Sequence, residues 1–107
     1  MKIRISDQSL RVRISAEEAN ALEKGAFIST SLRINAIDTF EFELRTWNLN
    51  IGEVHSEKHK LVASIPHPAA HQLATDKGFV YRCEHTSGTL PDLTLEVEID
   101  LQKAKHT

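Results

Sequence analysis

The chain has 107 residues, 40% of them hydrophobic and 26% charged, which is ordinary for a globular protein and predicts a single domain spanning residues 1–107. The net charge of −2 argues against a nucleic-acid-binding protein, because such proteins usually carry clustered lysines and arginines. No apolar run approaches the roughly 18 residues of a membrane helix, and the N-terminus is not patterned as a signal peptide. With one cysteine, Cys83, we expect a cytoplasmic protein.

The N-terminal quarter predicts a β-hairpin followed by a capped helix. Aliphatic and basic residues alternate over residues 2–14, and polar turn residues at 6–9 interrupt the alternation. Ser15 and Glu18 have the spacing of a capping box, and Gly25 suits the position after a helix end. The helix between these signals is short and has a small apolar face, so it needs a sheet to pack on.

The remaining elements follow from the same signals. Apolar alternation predicts strands at residues 26–35, 39–49, 60–65, 79–83 and 93–102. Residues 50–59 are polar and predict a loop, with a short strand near residues 51–54 as an alternative. Pro68 suits the start of a second helix that Gly78 closes, and His67 then caps it. A loop over residues 85–92 and a polar tail from residue 103 complete the chain.

These elements predict an α+β fold in the order ββαββ followed by βαββ. Strand–helix–strand–strand occurs twice, at residues 10–49 and 60–102, which suggests an internal duplication of the fold. We expect an antiparallel sheet, flat or curled into a partial barrel, with two short helices on one face.

Three stretches of the chain resemble a family of small bacterial proteins of unknown function. The opening M-K-I-R-I, followed by S-L-R-x-R at residues 9–13, is the most specific of them. Residues 65–79, with I-P, A-T-D and G-F, are similar to a second motif, and E-I-D-L at residues 98–101 is similar to a third. The resemblance implies a small cytoplasmic α+β domain and no known activity.

Charged residues occupy one phase of several predicted strands and form the first candidate site. If cations and carboxylates met on one face, they could bind a phosphate-bearing or metal ligand, since arginine binds phosphate and carboxylates bind Mg²⁺. The other interpretation is a solvent-facing sheet surface on which opposite charges pair across strands. The candidate ligand-binding residues are Arg4, Arg11, Arg13, Glu41, Glu43 and Glu98.

Histidines and the cysteine offer further chemistry. His67 and His71 have i,i+4 spacing, so they could share a zinc or nickel ion if both lay on one helix face, and solvated surface histidines are the other interpretation. Cys83 alternates in phase with Phe79 and Tyr81, which favours a core position over a nucleophile. No nucleophile or phosphate-loop motif is present, so we assign no catalytic residue and no cofactor, and leave open whether the protein is an enzyme.

Trp47 suggests a contact surface, because it shares the charged phase of its strand and aromatic residues are enriched at interfaces. Alternatively, the strand twists there and the indole covers a sheet edge. Taken together, these patterns favour a protein-interaction or self-associating module, with a homo-oligomer or another protein as its partner. Binding of a phosphate-bearing or metal ligand on the charged face is the alternative function.

Overall fold

The computed structural model describes residues 1–85 and 93–101, so the predicted tail and all but the first residue of the predicted loop lie outside the described residues. The described residues form eight strands and two helices, which confirms the α+β class. In chain order these are β1 (Lys2–Ser6), β2 (Ser9–Ile14), α1 (Ala16–Glu23), β3 (Ile28–Arg33), β4 (Thr39–Trp47), β5 (Glu53–Glu57), β6 (Lys60–Pro66), α2 (His67–Thr75), β7 (Val80–His85) and β8 (Leu93–Ile99).

The strands form two mixed sheets. Sheet A has the order β1-β2-β8-β7, and sheet B has the order β3-β4-β6-β5. Each sheet consists of two antiparallel hairpins whose inner strands pair in parallel, β2 with β8 and β4 with β6. Neither sheet closes into a barrel, so β1, β7, β3 and β5 are sheet edges.

Two equivalent ββαββ units build this arrangement. β1 to β4 with α1 form the first unit, and β5 to β8 with α2 form the second. Each helix carries the chain from one sheet to the other, so each sheet receives one hairpin from each unit. The helix caps Ser15 and Pro66 and the buried Leu22 and Leu73 are separated by the same 51 positions. The duplication predicted at the level of the fold is therefore present, and β5 is the fourth strand that completes its second half.

Helix α1 begins and ends as its sequence signals predict. The Glu18 amide donates to Ser15 Oγ at 3.1 Å, and Glu18 Oε1 accepts from the Ser15 amide at 2.9 Å. Partial burial alone would raise the pKa of Glu18, but hydrogen bonds from Ser15 and the Met1 ammonium outweigh it and lower that pKa. At the other end Gly25 has φ +95°, and the amides of Gly25 and Ala26 bond to Leu22 and Ala21 in a Schellman motif.

One hydrophobic cluster joins the inner faces of both sheets and both helices. Sheet A contributes the aliphatic residues of β2 and β8, and sheet B contributes those of β4 and β6. The two helices pack on each other and bury Ala19, Leu22, Ala70 and Leu73. Because every element supplies only a few apolar residues, no sheet or helix could bury its apolar face without the others.

The structure differs from the sequence expectation in its sheets and at two local places. One antiparallel sheet was expected, but the strands form two sheets with parallel inner pairs, because each helix carries the chain from one sheet to the other. Residues 53–57 form strand β5, where the polar composition had favoured a loop. Only Val54 of this edge strand is buried, so its apolar signal is too weak to show an alternation. His67 is the first residue of α2 and not its cap, because the extended backbone of Pro66 occupies the cap position.

The edges β5 and β7 meet in a closed seam. The amide of the buried Gly52, just before β5, donates to Tyr81 Oη at 2.8 Å. A Cβ on Gly52 would lie 2.7 Å from that oxygen and 3.0 Å from Cys83 Sγ, so only glycine lets β7 approach this closely. Cys83 packs against the core, as its phase predicted.

We expect Tyr81→Phe to lower the free energy of unfolding at pH 7 by about 1–3 kcal/mol, because the buried Gly52 amide loses its acceptor. Burial raises the pKa of Tyr81 to about 12, whereas the unfolded side chain titrates near 10. The folded state therefore holds this proton more tightly than the unfolded state. The contribution of protonated Tyr81 to the free energy of unfolding is complete below pH 10 and is lost as the pH rises from about 10 to about 12. Urea unfolding at pH 9 and pH 11 should show that the free energy of unfolding falls more in the wild type than in Tyr81→Phe. Equal losses in the two proteins would exclude this seam contact.

Candidate functional site

An apolar groove separates the other two edges, β1 and β3. It has a volume of about 320 Å³ and is lined by the apolar residues of β1, by Leu32 and by Phe40. None of the side chains that line it is charged. The internal two-fold relates this groove to the closed seam between β5 and β7, since β1 corresponds to β5 and β3 to β7. The same sandwich is thus closed on one side and open on the other.

The side of the groove that β3 forms also has backbone groups that are not paired with another strand. The Glu41 amide donates to His59 O at 2.8 Å, so it faces away from β3. Backbone N–H and C=O groups alternate in direction along a strand, so those of Phe40, Phe42 and Leu44 point to β3. The backbone groups of their register partners on β3 point to β4 in return. The intervening residues Ser29, Ser31 and Arg33 therefore direct their N–H and C=O groups to the open edge. Such an edge is a template for another strand.

Large apolar side chains are exposed around this edge. They lie on β1, β3 and β4 and on the residues that flank β3. The tight turn after β3 is held by Asn35 Oδ1, which accepts from the amides of Ile37 and Asp38. Leu32, which the alternation placed on an inward face, is 66% exposed because no element covers this end of sheet B. The exposed set consists of Ile5, Phe27, Leu32, Ile34, Ile37 and Phe40.

The outer face of sheet A carries the predicted cations and one of the predicted acids. Arg11 Nε lies 3.2 Å from Glu96 and 3.7 Å from Glu98, and Arg13 Nε lies 3.8 Å from Glu98. Arg4 is the register partner of Arg11, so two cations face each other on this hairpin. The structure thus brings Arg4, Arg11, Arg13 and Glu98 to one face, where the pairing of opposite charges across strands is confirmed.

The outer face of sheet B carries the other two predicted ligand residues. Glu43 is largely buried and lies 2.9 Å from Lys60 Nζ and 3.0 Å from Arg45 Nε. Glu41 is more exposed and lies 3.7 Å from Lys60. The hydrogen bond to Glu43 raises the pKa of Lys60. Glu41 and Glu43 are on a different sheet from the arginines, so the six candidate residues do not form one site.

The two histidines of the predicted metal pair both contact the end of α1. The His67 Nε2–H donates to the Glu23 carbonyl at 3.0 Å, and His71 Nδ1 contacts the Glu23 carboxylate. Within residues 1–85 and 93–101, no group of three or more His, Cys, Asp and Glu side chains could hold a metal ion. The metal site stays a prediction, and the contacts observed instead join α1 to α2.

Trp47 is half-buried at the end of β4, and its Nε1–H donates to the Ile51 carbonyl at 3.0 Å. Its indole therefore holds the loop before β5, and its role as a contact residue stays a prediction. The groove was not predicted from the sequence. The available signal was the apolar alternation of residues 28–34, which indicated a buried face without showing that nothing in the described fold covers it.

Comparison with known proteins defines the family of the chain but no activity. No curated protein and no solved structure matches it. Neither α1 nor α2 has the length and apolarity to cross a membrane, and they are the helices of the described residues. The model of a family of unknown function, DUF7009, matches residues 1–106. With nearly its whole length matched, the chain belongs to DUF7009.

Proposed function

We propose that the protein is a self-associating module whose working surface is the apolar groove between β1 and β3. The observation that carries the proposal is the difference between the two sides of the sandwich. At the seam, Tyr81 bonds to Gly52, and the exposed large apolar residue of β5 and β7 is Val80, at 46%. At the groove, Ile5 of β1 and Leu32 of β3 are 71% and 66% exposed. Exposed apolar surface next to a free edge is typical of a protein interface.

A phosphate-bearing ligand on sheet A is the second candidate function. Lys2, Arg4, Arg11 and Arg13 surround one depression on that face. Against this, Arg11 and Arg13 already have carboxylate partners on β8, which reduces their charge available to a ligand. The groove is therefore the better supported surface, because apolar side chains that line it, such as Leu32, stay exposed and are not covered by other described residues.

Hydrogen exchange at two protein concentrations, about 5 µM and about 500 µM, tests the proposal, since association protects only the amides that a partner covers. We expect peptides from the groove strands β1 or β3 to exchange more slowly at the higher concentration. Peptides from β7, the seam counterpart of β3, serve as the internal control and should exchange equally at both. Equal exchange of β1 and β3 at both concentrations would contradict the proposal.

A further inference from the structure

We propose that the groove is filled by a second copy of this chain, in which the two β3 strands pair antiparallel with Ser31 on the two-fold axis. The inference rests on the proposed self-association and adds the strand and the register. The pairing would join the two copies of sheet B into one eight-stranded sheet. A two-fold contact of this kind closes on itself, whereas pairing of β1 with β3 would continue into an open chain of molecules.

The exposed apolar area matches what a dimer needs. Six large apolar side chains on or beside the groove strands are exposed, and three of them, Ile5, Leu32 and Phe40, line the groove. At roughly 120 Å² each the six offer on the order of 700 Å² per copy. A stable protein interface buries about 800 Å² on each partner. Residues 86–92 and 102–107 add little apolar area, because Leu90 is the one large apolar residue among them.

Charge selects β3 over β1 as the pairing edge. On β1, Lys2 and Arg4 face outward beside Arg13 and Arg11 of β2. Carboxylates lie beside Lys2, Arg11 and Arg13, but pairing of two β1 strands would still bring the two Arg4 side chains and their neighbouring cations together. The outer face of β3 has two small serines and one cation, Arg33, and the next strand has Glu41 and Glu43. Two β3 strands can therefore approach, with Arg33 of each directed towards Glu41 and Glu43 of the other. Lys60 and Arg45 already lie beside these acids, so the second copy adds little charge pairing and the main gain is the absence of facing cations.

The register follows from the edge-facing groups. In an antiparallel pair, bonded residues face each other, so Ser29, Ser31 and Arg33 must pair among themselves. All three are used when Ser31 faces Ser31 and Ser29 faces Arg33 of the second copy. The Arg33 guanidinium of the second copy then lies next to Ser29 and Ser31. These small side chains leave room for it to reach towards Glu43 and Glu41, which are their register partners on β4. On the inner face, Leu32 meets Thr30 and Ile34 meets Ile28 of the second copy. Two of the exposed apolar residues, Leu32 and Ile34, therefore enter the contact.

A cysteine scan of β3 tests this register. In the proposed dimer the two Ser31 Cα atoms are about 5.5 Å apart, within the range of a disulfide. The two Ser29 Cα atoms are offset by four residues, about 13 Å, which a disulfide cannot span. Ser31→Cys and Ser29→Cys are made in a Cys83→Ala background, which removes the native thiol, and both serines are exposed, so neither change disturbs the core. Mild oxidation is followed on a non-reducing gel.

We expect most of the Ser31→Cys protein to run as a covalent dimer and the Ser29→Cys protein to stay mostly monomeric. Sedimentation of the reduced proteins separates the possible failures. A reduced dimer in which Ser31→Cys does not cross-link, or in which Ser29→Cys cross-links equally well, would overturn the β3 register and leave self-association intact. A reduced protein that is monomeric at every concentration would overturn both proposals.

Discussion

Replacement of Leu32 by glutamate is expected to raise the dissociation constant of the dimer at least 100-fold. Leu32 is 66% exposed in the single chain and lines the groove. A partner strand would enclose the new carboxylate in a groove whose lining side chains carry no charge to pair with it, and the two-fold repeats this cost in each copy. A 100-fold change corresponds to about 2.7 kcal/mol, which is modest for two desolvated charges.

The matched control is Leu49→Glu. Leu49 is 58% exposed, so it has a similar accessibility, but it lies in the loop after β4 and does not line the groove. Both variants should keep the thermal stability of the wild-type chain, because neither leucine is buried. Sedimentation velocity over a concentration series measures the association. Dimerisation of Leu32→Glu at the wild-type concentration, or equal loss in both variants, would show that the groove is not the contact surface.

Glu43→Ala is expected to lower the free energy of unfolding by about 2 kcal/mol. The Glu43 side chain is 9% exposed and lies close to two cations, Lys60 and Arg45. Without it, both cations remain near each other on a face that also buries Val62 and Ser64. Arg45 Nε is fully buried and makes no hydrogen bond in spite of its 3.0 Å approach to Glu43, so charge alone holds it.

Glu41→Ala is the control for this second prediction. Its side chain is 44% exposed and its ion pair with Lys60 spans 3.7 Å, so its loss should cost less than about 0.5 kcal/mol. Urea denaturation of the two variants at pH 7 gives the comparison. Equal destabilisation would mean that burial of Glu43 does not strengthen its ion pairs.

Local signals in the sequence predicted local structure well. The turn at residues 6–9, the capping box and Gly25 all act through neighbours in the chain, and the structure confirms the first hairpin and α1. The long alternation near the C-terminus likewise predicts β8. The same alternation places Arg11 and Arg13 on the polar face of β2, but it does not show that β8 supplies their carboxylate partners.

The sheet partners could not be predicted in this way. Alternation shows that a strand has an apolar face, but β2 and β8 lie at opposite ends of the chain, and nothing local indicates that they pair in parallel. The division into two sheets separates Glu41 and Glu43 from the arginines that the same polar phase had grouped with them. The groove depends on this long-range arrangement, because an uncovered apolar face and a buried one have the same sequence pattern.

The internal two-fold gives the open groove its significance. The strands β5 and β7 have side chains that close their side, with Tyr81 reaching the Gly52 amide. In the equivalent strands β1 and β3, apolar residues such as Ile5 and Leu32 stay exposed. A second chain at β3 would cover Leu32 and pair the free edge of β3, and both of these features are unfavourable in water when they stay exposed.

Sedimentation equilibrium of the wild-type protein, from about 1 µM to about 500 µM, tests self-association most directly. We expect an average mass that rises from the 12.0 kDa of one chain towards twice that value and then levels off, as a closed two-fold dimer requires. A mass that stays at 12.0 kDa across the whole range would show that the protein does not self-associate.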